Sequence, residues 1–336
     1  MYLQFYGLTE QPFSATPDPK FLYLTPAHRE ALAQLLYGVQ EGKGFLVLTG
    51  EVGTGKTTLL HTLLQRLSTD TAVAFVLNSA MPFDGILEYA LEDFGIESPG
   101  QTRARRLFAL NRFLIERRRL GQNTVLIVDE AQNLTTAALE QVRLLSNFET
   151  PTGKLMQILL VGQPELRDKL ARPELRQLKQ RIGLRCAIRP LTAEETRDYI
   201  RNRLRVAGAA DTRVFTDVAI QRIAAYTGGT PRLINILCDH CLLMGYAEQT
   251  RRIDGDMVRR GIDYLEEGGR PSRREDVRWA RATASLRWVL GGLGAAAVGG
   301  LAVFALGAKQ QVEGALGTVM DHVLYIARGA RDLVMR

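Results

Sequence analysis

Eight residues constrain this chain more than any others: Gly50-Glu51-Val52-Gly53-Thr54-Gly55-Lys56-Thr57, followed by Thr58. They lie between an apolar run at 45–48 and the segment Leu59-Leu60-His61-Thr62-Leu63-Leu64, which reads as a helix. This is the full phosphate-loop pattern, Gly-x4-Gly-Lys-Thr, in the strand-then-helix context that gives it meaning. The glycines let the backbone curl so that successive N–H groups point inward at a phosphate, helped by the start of the following helix. Lys56 is placed to neutralise the β- and γ-phosphates, and the Thr57 hydroxyl to take a Mg²⁺ coordination position. The expected ligands are ATP, or a related nucleoside triphosphate, and Mg²⁺.

The chain around the loop alternates strands and helices. Strands are expected at 45–49, 73–77, 124–128, 157–161 and 184–188, each nearly continuous in apolar residues. Such strands separated by helical segments indicate a parallel five-stranded α/β sheet covered on both faces. After Pro190 the strand signals stop. A capping box, Thr192-Ala193-Glu194-Glu195, opens the first of four helices that make a small all-helical lid to about residue 267. The expected divisions are 1–44 (strap and first helix), 45–190 (α/β core), 191–267 (lid), 268–287 (basic linker), 288–308 (span) and 309–336 (tail).

A nucleotide site becomes hydrolytic only with a carboxylate for the metal and a base for water. Val125-Leu126-Ile127-Val128-Asp129-Glu130 supplies both at the end of an apolar strand. Asp129 is expected to hold Mg²⁺ and Glu130 to orient and polarise the attacking water. Gln163, at the end of the strand 157–161, is a candidate γ-phosphate sensor; the plainer reading is a turn residue. Developing charge on a transferred phosphoryl group draws an arginine. Arg181, closing a basic helix at 174–181, suits a finger supplied to a neighbouring subunit, with Arg176 and Arg185 as substitutes. Arg232 opens a helix after Gly228-Gly229-Thr230-Pro231 and suits a sensor that passes nucleotide state to the lid.

The net charge of +7 is local rather than global. Residues 270–287 carry six arginines against two acids, a local +4, so the bulk is not strongly basic. The arginine-heavy helix at 103–120 keeps Leu107, Leu110, Phe113 and Leu114 at helical spacing, which makes most of its arginines a solvated face. A basic contact surface for a neighbour or nucleic acid is the other reading. Three cysteines are too few for a disulfide framework. The run Cys238-Asp239-His240-Cys241 lies inside an apolar helix without a second ligand pair, so packing is expected rather than zinc or redox chemistry. Residues 1–25 are dense in aromatics and prolines; an extended strap packed on the following domain is expected, with Phe21 to Tyr23 a possible wall of an adenine pocket.

From Trp288 to Ala308, 21 residues carry no charge, enough to span a bilayer as a helix. The rows Gly291-Ala295-Gly299 and Gly292-Ala296-Gly300 have the small-residue spacing of membrane helices. Six arginines lie in the 18 residues before the span and only Lys309 in the 18 after it, so the ATPase side is expected to face the cytoplasm and the C-terminus to lie outside. The tail has Val312, Leu316, Val319, Val323 and Ile326 at helical spacing, an amphipathic pattern. No signal peptide is expected from the first residues.

Taken together these features resemble an AAA+ ATPase of the general secretion pathway protein A branch, which includes ATPases of pilus-biogenesis and exopolysaccharide or exosortase loci. The resemblance runs through Phe5-Tyr6-Gly7-Leu8, Pro12-Phe13, Thr16-Pro17-Asp18-Pro19, His28-Arg29-Glu30-Ala31-Leu32, the phosphate loop, Asp129-Glu130-Ala131-Gln132, Gly162-Gln163-Pro164-Glu165-Leu166 and Gly228–Asn235, so it covers about residues 1–265. It implies a five-stranded P-loop core with a helical lid, ring-type homo-oligomers and work driven by ATP hydrolysis. It also supports the roles given to Gln163 and Arg232, whereas Arg181 is placed by position alone. The general secretion pathway protein A family is similar in having one membrane span but carries a periplasmic peptidoglycan-binding domain beyond it. Here 28 residues follow Ala308, so a partner protein of the secretion apparatus is expected to supply any wall contact. The expectation is a single-pass, inner-membrane ATPase serving an envelope secretion or polysaccharide-export apparatus. The alternatives are a nucleic-acid-associated AAA+ ATPase of the transposition or replication type, against which the span and the localised charge count, and a nucleotide-gated scaffold with negligible turnover.

Overall fold

The computed structural model describes residues 2–266 apart from 15, 17, 78, 79, 98–101 and 152. Nearly all of these belong to one compact unit, Met1–Leu265. In chain order its first part comprises α1 (Tyr2–Tyr6), α2 (Pro26–Gln40), β1 (Phe45–Gly50), α3 (Lys56–Arg66), β2 (Ala72–Val76), α4 (Phe83–Asp93) and α5 (Arg103–Arg119). Then come β3 (Thr124–Val128), α6 (Thr136–Leu145), the two-residue strands β4 (Glu149–Thr150) and β5 (Gly153–Lys154), β6 (Gln157–Gly162), α7 (Pro164–Leu170), α8 (Arg176–Arg181) and β7 (Ile182–Ile188). The lid is α9 (Ala193–Val206), α10 (Asp217–Thr227), α11 (Pro231–Ala247) and α12 (Gly255–Glu266).

The main sheet is parallel throughout, in the order β2-β3-β6-β1-β7. The apolar runs are continuous because both faces are buried and successive side chains alternate between them. Phe45 and Val47, with Leu126, Val128, Ile158 and Leu160, join the helices of one face. Leu46 and Leu48, with Val125, Ile127, Leu159 and Val161, join α2 and α3 on the other. Parallel strands put all their C-terminal ends on one edge, and there the loops after β1, β3 and β6 converge. The expected strand ends shift by one or two residues: β2 stops at Val76, leaving Leu77 57% exposed, and β7 begins at Ile182. The expected helix at 174–181 is a 3-10 turn, Pro173–Leu175, followed by α8.

The strap differs from expectation in two respects. Tyr2–Tyr6 is helical, since the prolines begin only at Pro12 and restrict nothing before it. It also packs on the lid rather than on the domain that follows it. Tyr2, Tyr6, Leu8, Phe13 and Phe21 share one apolar cluster with Ile200, Leu204, Ile234, Leu237 and Cys238. Thr9 N–H donates to Ala207 O at 2.8 Å, and Tyr6 OH to Thr250 O at 3.0 Å. By contrast α2, whose N-cap Thr25 precedes Pro26 at the first helical position, packs on the sheet through Ala31, Leu32, Leu35 and Val39. In the lid, the Thr192–Glu195 capping box forms with both reciprocal hydrogen bonds. Gly229, at φ 75°, brings its backbone against Leu191 so closely that a Cβ would meet Leu191 O at 1.9 Å. The linker, span and tail expected over 268–336 lie outside the described residues. Among the described residues no helix is long and apolar enough to cross a membrane.

Candidate functional site

The phosphate loop leaves β1 and ends in Gly55, whose left-handed φ of 98° lets α3 start at Lys56. Lys56 is buried, and its Nζ donates to Gly50 O at 2.8 Å and Glu51 O at 3.0 Å. Thr54 Oγ1 donates to Glu51 O at 2.8 Å. The loop carbonyls are thereby turned inward on the ammonium, the reverse of the N–H groups that face a phosphate. Burial pulls the Lys56 ammonium below the ordinary lysine range, while the charges of Glu130, Asp129 and Glu51 oppose that pull. Gly53, at φ 79°, lies under the lid. A Cβ there would meet Arg232 Cβ at 2.7 Å, and the Arg232 backbone N–H donates to Gly53 O at 3.3 Å.

The carboxylates follow from β3. Asp129 is buried at its end, with its N–H donated to Val76 O at 3.0 Å and its Oδ1 accepting from Glu130 N–H at 2.8 Å. Burial holds its carboxyl above the usual aspartate range; the Glu130 N–H and the Lys56 charge work against this. Glu130 adopts φ 50°, a left-handed conformation that costs a non-glycine residue about 1–3 kcal/mol and is found where geometry matters for function. Its Oε2 accepts from Gln163 Nε2 at 3.1 Å and also from Gln132 Nε2. Gln132 Oε1 in turn accepts from Gln163 N–H at 3.1 Å. Gln132 is thus the clamp that joins Glu130 to Gln163. The sequence carried it within Asp-Glu-Ala-Gln, but nothing in its spacing assigned it this task.

A cleft of about 440 Å³ brings Lys56, Thr57 and Glu130 together with residues of the lid and strap; Asp129, Gln132 and Gln163 are not among its lining residues. Val52, Gly53, Thr54, Gly55, Lys56, Thr57, Thr58 and Glu130 line it on the core side. Arg232, Asn235, Tyr199, Arg203 and Leu191 line it from the lid, and Asp18, Phe21, Leu22 and Tyr23 from the strap. Gly50 and Glu51 lie behind it and supply the carbonyls that hold Lys56. His28 is a further lining residue that sequence reasoning did not assign. Its Nε2 is 3.1 Å from Thr54 O, so Nε2 carries the proton and donates. Its Nδ1 then accepts from Thr25 Oγ1 at 2.7 Å.

Arg181 is not brought to this cleft. Ile182 pairs with Phe45 at the start of β1, whereas the phosphate loop leaves its other end. The separation is about 20 Å at the usual strand rise. Arg181 Nη1 donates to Ser146 Oγ and Asn147 Oδ1, each at 2.6 Å. Arg185 Nη2 donates to Lys179 O at 3.1 Å. In the Cys238–Cys241 segment both thiols are buried in the lid and His240 stacks on Tyr264 at 4.3 Å.

The residues present fit a nucleotide with its metal. One hydroxyl, Thr57, and one carboxylate, Asp129, make an all-oxygen, incomplete donor set, which suits Mg²⁺ completed by phosphate oxygens and waters. Residues 39–170 match the family model described as AAA domain. General secretion pathway protein A of Aeromonas hydrophila is 45% identical over 254 residues, 75% of this chain and 46% of that protein. The chain belongs to the AAA+ ATPases. An uncharacterized HTH-type transcriptional regulator of Methanocaldococcus jannaschii is 28% identical over 145 residues, 42% of this ATPase and 35% of the relative. The ATPase therefore spans less than half the length of the curated relatives it matches. Among solved structures, the Aeropyrum pernix ORC2 protein aligns with TM-score 0.56 at 20% identity, over 76% of this chain and 71% of that one. Drosophila ORC bound to DNA aligns with TM-score 0.57 at 17% identity, over 78% and 65%. At such identities the likeness shows the fold alone.

Proposed function

We propose that this AAA+ ATPase is a single-pass protein of the cytoplasmic membrane that spends ATP on assembling or regulating an envelope secretion or polysaccharide-export apparatus. The observation that carries this is the 45% identity over 254 residues with General secretion pathway protein A. The uncharged stretch 288–308, with its arginines on one side, supports the anchoring and the cytoplasmic placement of the ATPase. In turnover, Lys56 and Arg232 hold the phosphates. Glu130, clamped by Gln132 and Gln163, accepts a proton from water as its oxygen bonds to the γ-phosphorus. The bond to the bridging oxygen then breaks, releasing ADP and phosphate. Mg²⁺ held by Thr57 and Asp129 would neutralise charge on the phosphate oxygens. Arg181 is too far from its own cleft to contribute there, which favours a homo-oligomeric ring in which it serves the neighbouring copy.

Alkaline carbonate extraction of membranes, combined with ATPase assays at two salt concentrations with and without DNA, tests the reading. The expected result is retention in the membrane pellet and turnover indifferent to DNA. Extraction into the supernatant would remove the anchor. Salt-sensitive stimulation by DNA would replace the secretion role with a nucleic-acid one. For the ring, mixing inactive Lys56→Ala and Arg181→Ala chains should restore turnover, since each supplies what the other lacks; a mixture as inactive as its parts sinks the trans assignment.

A further inference from the structure

The strap belongs to the lid's apolar cluster, whereas α2 belongs to the sheet's. The chain thus passes from lid to core at about residues 22–25 and returns at 189–191. A nucleotide in the cleft touches both layers, so the strap must hold its place on the lid for the wall at Phe21 and Tyr23 to exist. A polar chain inside the apolar cluster does the holding. Arg203 on α9 is only 6% exposed. Its Nε donates to Pro12 O of the strap, and its Nη1 donates to Tyr199 OH at 2.7 Å. Tyr199 OH donates onward to Asn235 Oδ1 at 2.8 Å. The guanidinium also stands over the rings of Phe21, at 4.8 Å, and Tyr199, at 5.5 Å. These partners among the described residues are all uncharged.

Asn235 lies three residues beyond Arg232 on α11, on the same helix face, and both line the cleft. The Arg232 backbone N–H reaches Gly53 O in the phosphate loop. A continuous path therefore runs from the strap, through Arg203, Tyr199 and Asn235, to the helix start that meets the loop. A buried guanidinium is costly unless its donors are met. Here a strap carbonyl and a strap ring meet them in part, so Arg203 is comfortable only with the strap in place.

We propose that Arg203, Tyr199 and Asn235 form a positioning relay for nucleotide binding, locking the strap to the lid so that the cleft wall and the start of α11 act as one piece. The relay touches neither Lys56 nor Glu130. It therefore governs how tightly nucleotide is held, in ground and transition state alike, and leaves the rate of the bound complex unchanged. It rests on the ATPase activity and is independent of the role in secretion.

The test uses the full-length chain with Tyr199→Phe, Arg203→Lys, Arg203→Met and the double variant Tyr199→Phe/Arg203→Met. KM for Mg-ATP and Kd for ADP should rise together by roughly 10- to 150-fold, the scale of one lost hydrogen bond to a charged group, with kcat within about twofold. Arg203→Lys should recover part of the loss, because it keeps the charge but not the planar fork. The double variant should be no worse than its worse parent, since both break one chain of contacts. ADP should protect residues 10–24 from protease in the wild type and less so in Tyr199→Phe. A fall in kcat at unchanged KM, additive losses in the double variant, or equal strap protection in all chains would each overturn the relay. If Arg203→Met does not fold, Tyr199→Phe, which deletes a single hydroxyl, decides the matter through the KM and kcat split.

Discussion

The α/β core and the lid build their halves of one cleft by different means. In the core, functional groups stand at strand ends, where the sheet's backbone hydrogen bonds fix them: Asp129 through Val76, Gly50 through its pairing with Ile188. One side-chain clamp, Gln132, then sets Glu130. Among the described residues the lid has no strand to do this, only an isolated bridge between Phe215 and Ile253, so Arg203, Tyr199 and Asn235 position one another inside an apolar cluster. The contrast teaches a division of labour. Groups rigidly tied to the sheet suit chemistry, which tolerates little misplacement. Groups tied to a separable layer suit binding and the reporting of what is bound.

Glu130→Gln should show the largest effect on this division. It removes the base but keeps a side chain that can occupy the same place, so kcat should drop by about 10²–10⁴ while Kd for ADP stays within about threefold. Equal loss in both would erase the distinction between the halves. Gly53→Ala tests the seam instead. The added Cβ meets Arg232 at 2.7 Å and the residue must hold φ 79°. A left-handed alanine costs about 1–2 kcal/mol, so nucleotide affinity should fall roughly 5- to 30-fold, with kcat changed less than affinity. Gln132→Ala sharpens the core side: Glu130 and Gln163 lose their clamp, and kcat should fall by about tenfold with KM little altered. A rise in KM alone would place Gln132 with the lid.

Much of the core was legible because its signals are short and strict. The phosphate loop fixes eight positions, and the apolar strand leading to Asp129-Glu130 announces its own register. The lid's helices were legible from capping, as at Thr192 and Pro231. The partner of the strap was not legible. Phe13 and Phe21 declare only that they need burial, and their burial against residues some 180 or more positions later depends on the tertiary fold. Arg203 reads as one of several arginines on α9, since Arg201, half-buried and paired with Asp217, and the exposed Arg205 carry the same charge. Gln132 and His28 were likewise hidden, because a hydrogen bond between loops leaves no periodicity. Helix α1 is illegible for a simpler reason: the prolines that argue for an extended strap begin only at Pro12, beyond it.

The smallest expected effect lies inside the core half, at His28, which ties α2 to the phosphate loop. Burial pulls its pKa below the ordinary histidine value, an effect reinforced by Arg189 and opposed by the hydrogen bond to Thr54 O and by Glu195. Its ring is therefore neutral when folded, donating from Nε2 to the phosphate loop and accepting at Nδ1 from Thr25. The unfolded chain takes up the proton first as pH falls, so the folded state loses stability below about pH 6.5, down to the lowered folded pKa. Above the unfolded value the contribution is fully present. Other groups titrate in the same range, so the informative quantity is the difference between wild type and His28→Gln, which keeps a donor for Thr54 O but cannot titrate. In thermal melts from pH 8 to pH 5, the wild type should lose more Tm than the variant on the acid side, and its ADP affinity should decline in parallel because the ring braces Thr54. A difference curve that is flat, or that favours the wild type as pH falls, would mean His28 is carried by the core alone and does not tie α2 to the loop.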